Sequence, residues 1–239
     1  MLYIVPTPIG NLKDITLRAL EALKASDIIF CEDTRQTQKL LNAYDIVGAR
    51  SPRPGGETPP LLISLHEHSG AGRVVQAIRL LEEGKTVSLV SDGGTPLVSD
   101  PGFELVHEVI RKGLPMEVLP GPAAFVTALV ASGLATDAFS FLGFLSQKSA
   151  SRKKALEELK EREETLIFYE SPYRVLRVLE EMKEVFGDRE AAVGRELTKK
   201  FEETARGTLS QLIDKFSKKN PVGEFVILVS GKDRKKMFE

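Results

Sequence analysis

With 239 residues, 42% of them hydrophobic, the chain has material for one large domain or two modest ones, and 33 basic against 34 acidic residues leave it near neutrality. That balance excludes a global electrostatic footprint for a polyanion, and no apolar run approaches the roughly 20 residues of a membrane-spanning helix. The single cysteine, Cys31, cannot form an internal disulfide, and Leu2–Val5 is too short for the apolar segment of a signal peptide, so a reducing, cytoplasmic setting is expected.

The first half repeats one pattern: a short β-branched run, a turn rich in Gly, Pro or Asp, then an amphipathic helix ending near glycine. Strands are predicted at Leu2–Val5, Asp27–Phe30, Leu61–Leu65, Thr86–Val90 and Met116–Leu119. Helical stripes lie between them: Leu17, Leu20 and Leu23; Val74, Ala77, Ile78 and Leu81; Phe103, Val106 and Ile110. Gly84 and Gly113 fall where C-terminal caps belong, and Asp100 before Pro101 reads as an N-cap. Ser51–Pro60, crowded with proline and glycine, predicts a long loop. At Ala135–Asp137 the pattern changes, and a boundary there divides residues 1–135 from 136–239.

The second half continues with an apolar run, Phe139–Leu145, a basic stretch, Lys148–Lys154, and a charged helix, Ser151–Glu163. Strand Thr165–Tyr169, helix Pro172–Phe186, strand Glu190–Arg195, a strand or hairpin near Thr204–Thr208, helix Leu209–Lys218 and strand Glu224–Ser230 follow. The fold class is therefore α/β, in two α/β lobes.

Three apolar strands of the first lobe end in unusual turns: Thr7–Asn11 (TPIGN), Ser91–Pro96 (SDGGTP) and Pro120–Ala124 (PGPAA). In an open α/β sheet the ligand crevice lies outside the carboxyl ends of the strands, so these turns are expected to converge. Glycine lets backbone approach a ligand closely, and proline fixes the loop shape. The turns match neither the dinucleotide-binding G-x-G-x-x-G nor the P-loop, and no lysine stands ready for a triphosphate. The ligand is therefore not held mainly through phosphates.

Taken together, TPIGNLKDIT, CEDTRQT, SDGGTPLVSDPG, LPGPAAFVTAL, YESPYR and RELTKKFEE resemble, in order and spacing from Leu2 to about Gly231, the tetrapyrrole-methylase-like superfamily. Within it the chain is most similar to its bacterial branch of 16S ribosomal RNA cytidine-2′-O-methyltransferases, which act in the decoding centre. The resemblance implies a two-domain, homodimeric methyltransferase that holds S-adenosylmethionine, bent, between its lobes and acts on 16S rRNA in the small ribosomal subunit. It places cofactor contacts at Pro8, Ile9 and Gly10, at Asp92, Gly93, Gly94, Thr95 and Pro96, and at Gly121, Pro122, Ala123 and Ala124. In the second lobe it adds Phe168 and Tyr169, Arg195, Glu196 and Leu197, and Glu224 and Phe225. Many relatives continue into a C-terminal extension beyond the point matching Gly231.

The sulfonium methyl group is already electrophilic, so the protein must mainly align an oxygen behind it, and a neighbouring base would take the 2′-OH proton. Glu32, Asp33 and Arg35 after the second strand and His66, Glu67 and His68 after the third are within the pattern. Asp33 or His66 is expected to accept the proton and Arg35 to orient a phosphate, while a helix N-cap alone would also explain Asp33. Arg152, Lys153 and Lys154 are expected to contact the RNA backbone. His66 and His68 also spell H-x-H, which leaves open a metal hydrolase, but no metal is expected. The pattern also leaves room for a methyltransferase of a tetrapyrrole-like small molecule and for a ribosome-associated binder without activity. His107 reads as a packing or surface residue.

Overall fold

Five short strands rich in Leu, Ile and Val form the first sheet in the computed structural model of the chain: β1 (Leu2–Ile4), β2 (Ile28–Cys31), β3 (Leu61–Ser64), β4 (Val87–Leu89) and β5 (Met116–Val118). All pair in parallel, in the order β3-β2-β4-β1-β5, with Leu2 level with Val87 and Met116, and Ile28 level with Val87 and Leu61. A purely parallel sheet needs cover on both faces, and the alternation along β2 shows how it is met. Ile28 and Phe30 enter one core with Leu105, Val109 and the stripe Val74, Ala77, Ile78 and Leu81. Ile29 and Cys31 enter the other with Ala19, Ala22, Leu23 and Leu41. Helices α3 (Ala71–Glu82) and α4 (Phe103–Arg111) thus cover one face, and α1 (Leu17–Ala25) and α2 (Thr34–Ala43) the other.

The structure describes residues 1–46, 59–66, 71–218 and 221–234, so most of the expected proline-rich loop lies outside the described residues. The chain divides into two compact units, Met1–Ala123 and Ala124–Glu239. The division falls before helix α5 (Ala124–Ser132), whereas the change of sequence pattern lies at Ala135–Asp137.

The second unit carries strands β6 (Phe139–Phe144), β7 (Thr165–Glu170), β8 (Glu190–Arg195), β9 (Glu203–Thr208) and β10 (Phe225–Val229), in the order β6-β7-β10-β8-β9. Strand β6 runs parallel to β7, while β7 and β8 are both antiparallel to β10. Helices α6 (Ser149–Leu159), α7 (Val175–Phe186) and α8 (Leu209–Ser217) supply Leu156, Val178, Leu179, Met182, Leu212 and Phe216 to one core. Thr208 starts α8 with a capping box, its side chain accepting from Gln211 while the Gln211 side chain answers the Thr208 backbone.

Two local expectations are corrected. In α4 the buried positions are Leu105 and Val109, while Phe103 and Ile110 are 71% and 64% exposed, so the helix turns a different apolar stripe inward. Asp100 does not cap α4; Gly102, at φ 124°, occupies that position, and Asp100 instead accepts a hydrogen bond from the Ser91 hydroxyl. Gly84 and Gly113, at φ 82° and 64°, do close their helices in the left-handed region.

Candidate active site

Parallel pairing sends the carboxyl ends of all five strands of the first unit to one edge, and there the turns touch. After β1, Thr7 pairs with Gly94 after β4, each backbone N–H donating to the other's carbonyl at 2.9 Å. The Thr7 hydroxyl donates to the Ser91 carbonyl at 3.1 Å. Gly93 passes so close to the first turn that a Cβ would stand 3.3 Å from the Pro8 carbonyl oxygen. Gly94 adopts φ 98°, and a Cβ there would meet Ile9 Cγ2 at 3.4 Å. The β5 turn joins the same group, since Thr95 Oγ1 donates to the Pro122 carbonyl at 2.9 Å and a Cβ on Gly121 would lie 2.4 Å from Pro6 Cβ. Glycine suits these positions for different reasons: a proline ring fills the place of a side chain at Gly121, Gly94 is held in the left-handed region, and Gly93 runs in tight contact with backbone.

The turn after β2 is tied to the same cluster. The Asp33 backbone N–H donates to Asp92 Oδ1 at 3.0 Å, and the Glu32 carboxylate accepts from the Asp92 backbone. Asp33 itself is the N-cap of α2, accepting from Arg35 N–H at 2.8 Å, and its carboxylate is gripped by the Arg35 guanidinium at 2.7 Å. Those hydrogen bonds hold the Asp33 carboxyl down at about 2. Glu32, Asp92 and Asp100 move the other way: burial raises all three above their ordinary values, and repulsion adds to it, from Asp92 at Glu32 and Asp100 and from Asp33 at Asp92.

His66 stands after β3 at the outer side of the sheet, two strands from β4, and is exposed. Glu67 and His68 lie outside the described residues, so the H-x-H pair is not described as a unit. Among the described residues no group of three or more His, Cys, Asp or Glu side chains is arranged to hold a metal.

In the second unit, Tyr169 is half-buried and its hydroxyl accepts from the Phe125 N–H at 3.2 Å. Phe168 and Phe225 alternate to the opposite face and are 0% and 2% exposed, so their side chains belong to the core. Arg195 Nε lies 3.2 Å from Glu203 Oε2. Glu196 takes φ 49° and accepts from Glu224 N–H at 3.0 Å, while Leu197 is buried against Gly194.

One expected RNA contact is corrected. Arg152 is 2% exposed; its guanidinium grips Glu181 at 2.8 Å and reaches the Ser146 carbonyl at 2.8 Å. It clamps α6 to α7 and is closed to a phosphate. Lys153 pairs with Glu184 at 2.6 Å, and Lys154 is exposed.

The family model described as Tetrapyrrole (Corrin/Porphyrin) Methylases matches residues 1–213. The chain belongs to the tetrapyrrole methylase family. Within this family, a Bacillus subtilis protein called ribosomal RNA small subunit methyltransferase I is 46% identical over 239 residues, covering 100% of this chain and 78% of its own length. A Thermotoga maritima protein of the same name is 43% identical over 232 residues, 97% of this chain and 99% of its own length. Among solved tetrapyrrole methylase structures, the methyltransferase CobJ superposes with a TM-score of 0.69 at 19% identity, over 99% of this chain and 96% of its own. Uroporphyrin-III-C-methyltransferase from Thermus thermophilus gives 0.62 at 20% identity, over 97% and 94%. At such identity the structures show the fold alone, which is the two-unit α/β arrangement expected from the sequence.

Proposed function

We propose that this methylase transfers a methyl group from S-adenosylmethionine to the ribose 2′-oxygen of a cytidine in the decoding centre of 16S ribosomal RNA, acting in the cytoplasm as a homodimer on the small ribosomal subunit. The observation that carries the reading is the meeting of the β1, β4 and β5 turns in a family whose full-length relatives are called ribosomal RNA small subunit methyltransferases.

The residues suit this cofactor. Pro8–Gly10, Asp92–Pro96 and Gly121–Ala124 bring backbone, not basic side chains, to one place, and the neighbouring carboxylates Glu32, Asp92 and Asp100 match a cationic sulfonium and ammonium better than a phosphate. When bound, the cofactor supplies an activated methyl group. Work left to the protein is alignment of the 2′-oxygen and acceptance of its proton.

Asp33, held at about 2 by Arg35, is a weak proton acceptor and serves to fix the turn. Glu32, half-buried and raised in affinity for protons, is the better base, and His66 is the second choice. Arg35, whose side chain is 85% exposed, presents the outer side of its guanidinium to a phosphate while its inner side holds Asp33. Lys153 and Lys154 remain backbone contacts for the RNA.

Incubation with small ribosomal subunits and deuteromethyl-labelled S-adenosylmethionine, followed by nucleoside mass spectrometry, tests the reading. Label on 2′-O-methylcytidine is expected. Label confined to a nucleobase, or transfer to a tetrapyrrole substrate with none to RNA, overturns it.

A further inference from the structure

The second sheet presents an unusual edge. Because β6 is parallel to β7, and β7 and β8 are both antiparallel to β10, the turns leaving β6, β7 and β8 all project from one side of the sheet. Register makes the alignment tight: Glu170, Phe225, Arg195 and Glu203 lie level on successive strands, and Phe144 lies level with Tyr169. An aromatic side chain stands in solvent at the end of β6 and in each of the turns after β7 and β8: Phe144 is 60%, Tyr173 96% and Phe201 68% exposed.

Local structure holds these rings out. In β6 the register shifts by one residue between Phe141 and Phe144, where Gly143 takes φ 63°. A bulge of this kind keeps Phe144 on the same face as Phe141, and its ring meets Tyr169 edge-on at 5.6 Å. Tyr173 follows a clasp in which Arg174 holds both carboxylate oxygens of Glu170 at 2.8 and 2.6 Å. The β8–β9 turn is the most constrained: Glu196 and the β-branched Thr198 sit at φ 49° and 65°, a conformation that ordinary residues avoid. Glu202 accepts from the Thr198 N–H at 2.7 Å, Lys199 bridges Glu196 and Glu224 at 3.0 Å each, and Phe201 is left outside with Lys200 Nζ 5.6 Å from its ring centre.

Strands spaced about 4.8 Å apart put the β6 and β8 ends roughly 14 Å from each other, a span that a few splayed nucleotides cover. The cations favour nucleic acid as occupant. Lys148, just past Phe144, Lys154 on α6 and Lys200 beside Phe201 enter no ion pair among the described residues. Aromatic faces interleaved with unpaired lysines are the means by which proteins hold single-stranded RNA, the bases stacking and the phosphates meeting ammonium groups. We infer that the carboxyl edge of the second sheet, through Phe144, Tyr173 and Phe201, is a stacking platform for unpaired nucleotides of the RNA substrate. The inference rests on the RNA-methylation reading and adds to it a surface of the second unit that grips unpaired RNA.

The test uses the full chain and a fluorescein-labelled oligocytidylate, with affinity measured by anisotropy. Phe201→Ala and Tyr173→Ala are each expected to weaken binding roughly fivefold to a hundredfold, and Phe201→Trp to preserve it. Melting temperature and uptake of S-adenosylhomocysteine should stay at wild-type values, since both rings are exposed. Unchanged oligocytidylate affinity in both alanine variants overturns the platform. So does loss of self-association in sedimentation without loss of RNA affinity, which would give the edge to a second copy of the chain. If the variants methylate small subunits with wild-type KM, the platform fails while the methylation reading stands; a wild-type chain that methylates no RNA removes that reading first.

Discussion

The Asp33 backbone N–H and the Asp92 carboxylate, 3.0 Å apart, join the turn that follows β2 to the turn that follows β4. With the Glu32 carboxylate accepting from the Asp92 backbone, this bond fixes the N-terminus of α2 against the glycine turn that packs on Pro8 and Ile9. Asp92→Asn keeps an acceptor oxygen in place and is expected to retain most binding of S-adenosylhomocysteine. Asp92→Ala leaves the Asp33 N–H without its partner and should weaken that binding by about tenfold or more, a cost of the order expected for an orphaned donor. Parallel calorimetry of the two variants checks the difference.

Glu32 is the residue whose removal should affect chemistry most. Glu32→Gln is expected to lower the single-turnover methylation rate by about a hundredfold or more with little change in cofactor affinity. Burial raises its pKa, so the wild-type rate should climb with pH along an acid limb displaced above that of an ordinary glutamate, and the variant should lose that limb. Asp33→Ala should act mainly through loss of a helix cap, lowering the melting temperature while leaving the single-turnover rate near wild type.

Asp100 gives a prediction for stability. A carboxyl whose folded pKa is raised binds its proton more tightly in the native state, so its contribution is favourable at low pH and is lost as pH rises through the folded value. Asp100→Asn, still able to accept from Ser91, should therefore raise the melting temperature at neutral pH. The gain should vanish below the ordinary aspartate range.

The Arg152–Glu181 clamp has the opposite sign. The guanidinium holds Glu181 at about 2, so the pair stabilises the fold above the ordinary glutamate pKa and loses that contribution as pH falls toward 2. Both side chains are buried, at 2% and 7% exposure, and Arg152→Ala or Glu181→Ala should cost about 3–5 kcal/mol by chemical denaturation. RNA affinity of refolded Arg152→Lys should be unchanged if the residue acts only as a clamp.

Gly121→Ala places a methyl group 2.4 Å from Pro6 Cβ, and a proline ring cannot swing aside. The β5 turn must shift away from the β1 turn. A loss of about 1–3 kcal/mol in stability is expected, together with weaker cofactor uptake.

Much of this arrangement could be read from residue order. Short β-branched runs ended by Thr7–Asn11, Ser91–Pro96 and Pro120–Ala124 were enough to place three turns at one sheet edge, because parallel pairing leaves few other choices. Helix faces were harder: α4 has apolar residues on two sides, and the 3.6-residue period fits Phe103, Val106 and Ile110 as well as the buried pair Leu105 and Val109. Arg152 looked like one of three surface cations, since its partner Glu181 lies 29 residues away on α7 and only tertiary structure brings them together. Asp33 is legible as a carboxylate at a strand end, but its grip by Arg35, two residues on, emerges only with the geometry of the helix N-terminus. That grip weakens it as a proton acceptor and favours Glu32 beside it.

Calorimetric titration of the purified chain with S-adenosylhomocysteine tests the pocket most directly. One site per chain is expected, filled by the wild type and abolished by Gly94→Val, which drives a branched side chain at Ile9 from a glycine-only conformation. A wild-type chain that takes up neither this product nor S-adenosylmethionine, or a Gly94→Val variant that binds as well as the parent, would contradict the convergence of the three turns on one cofactor.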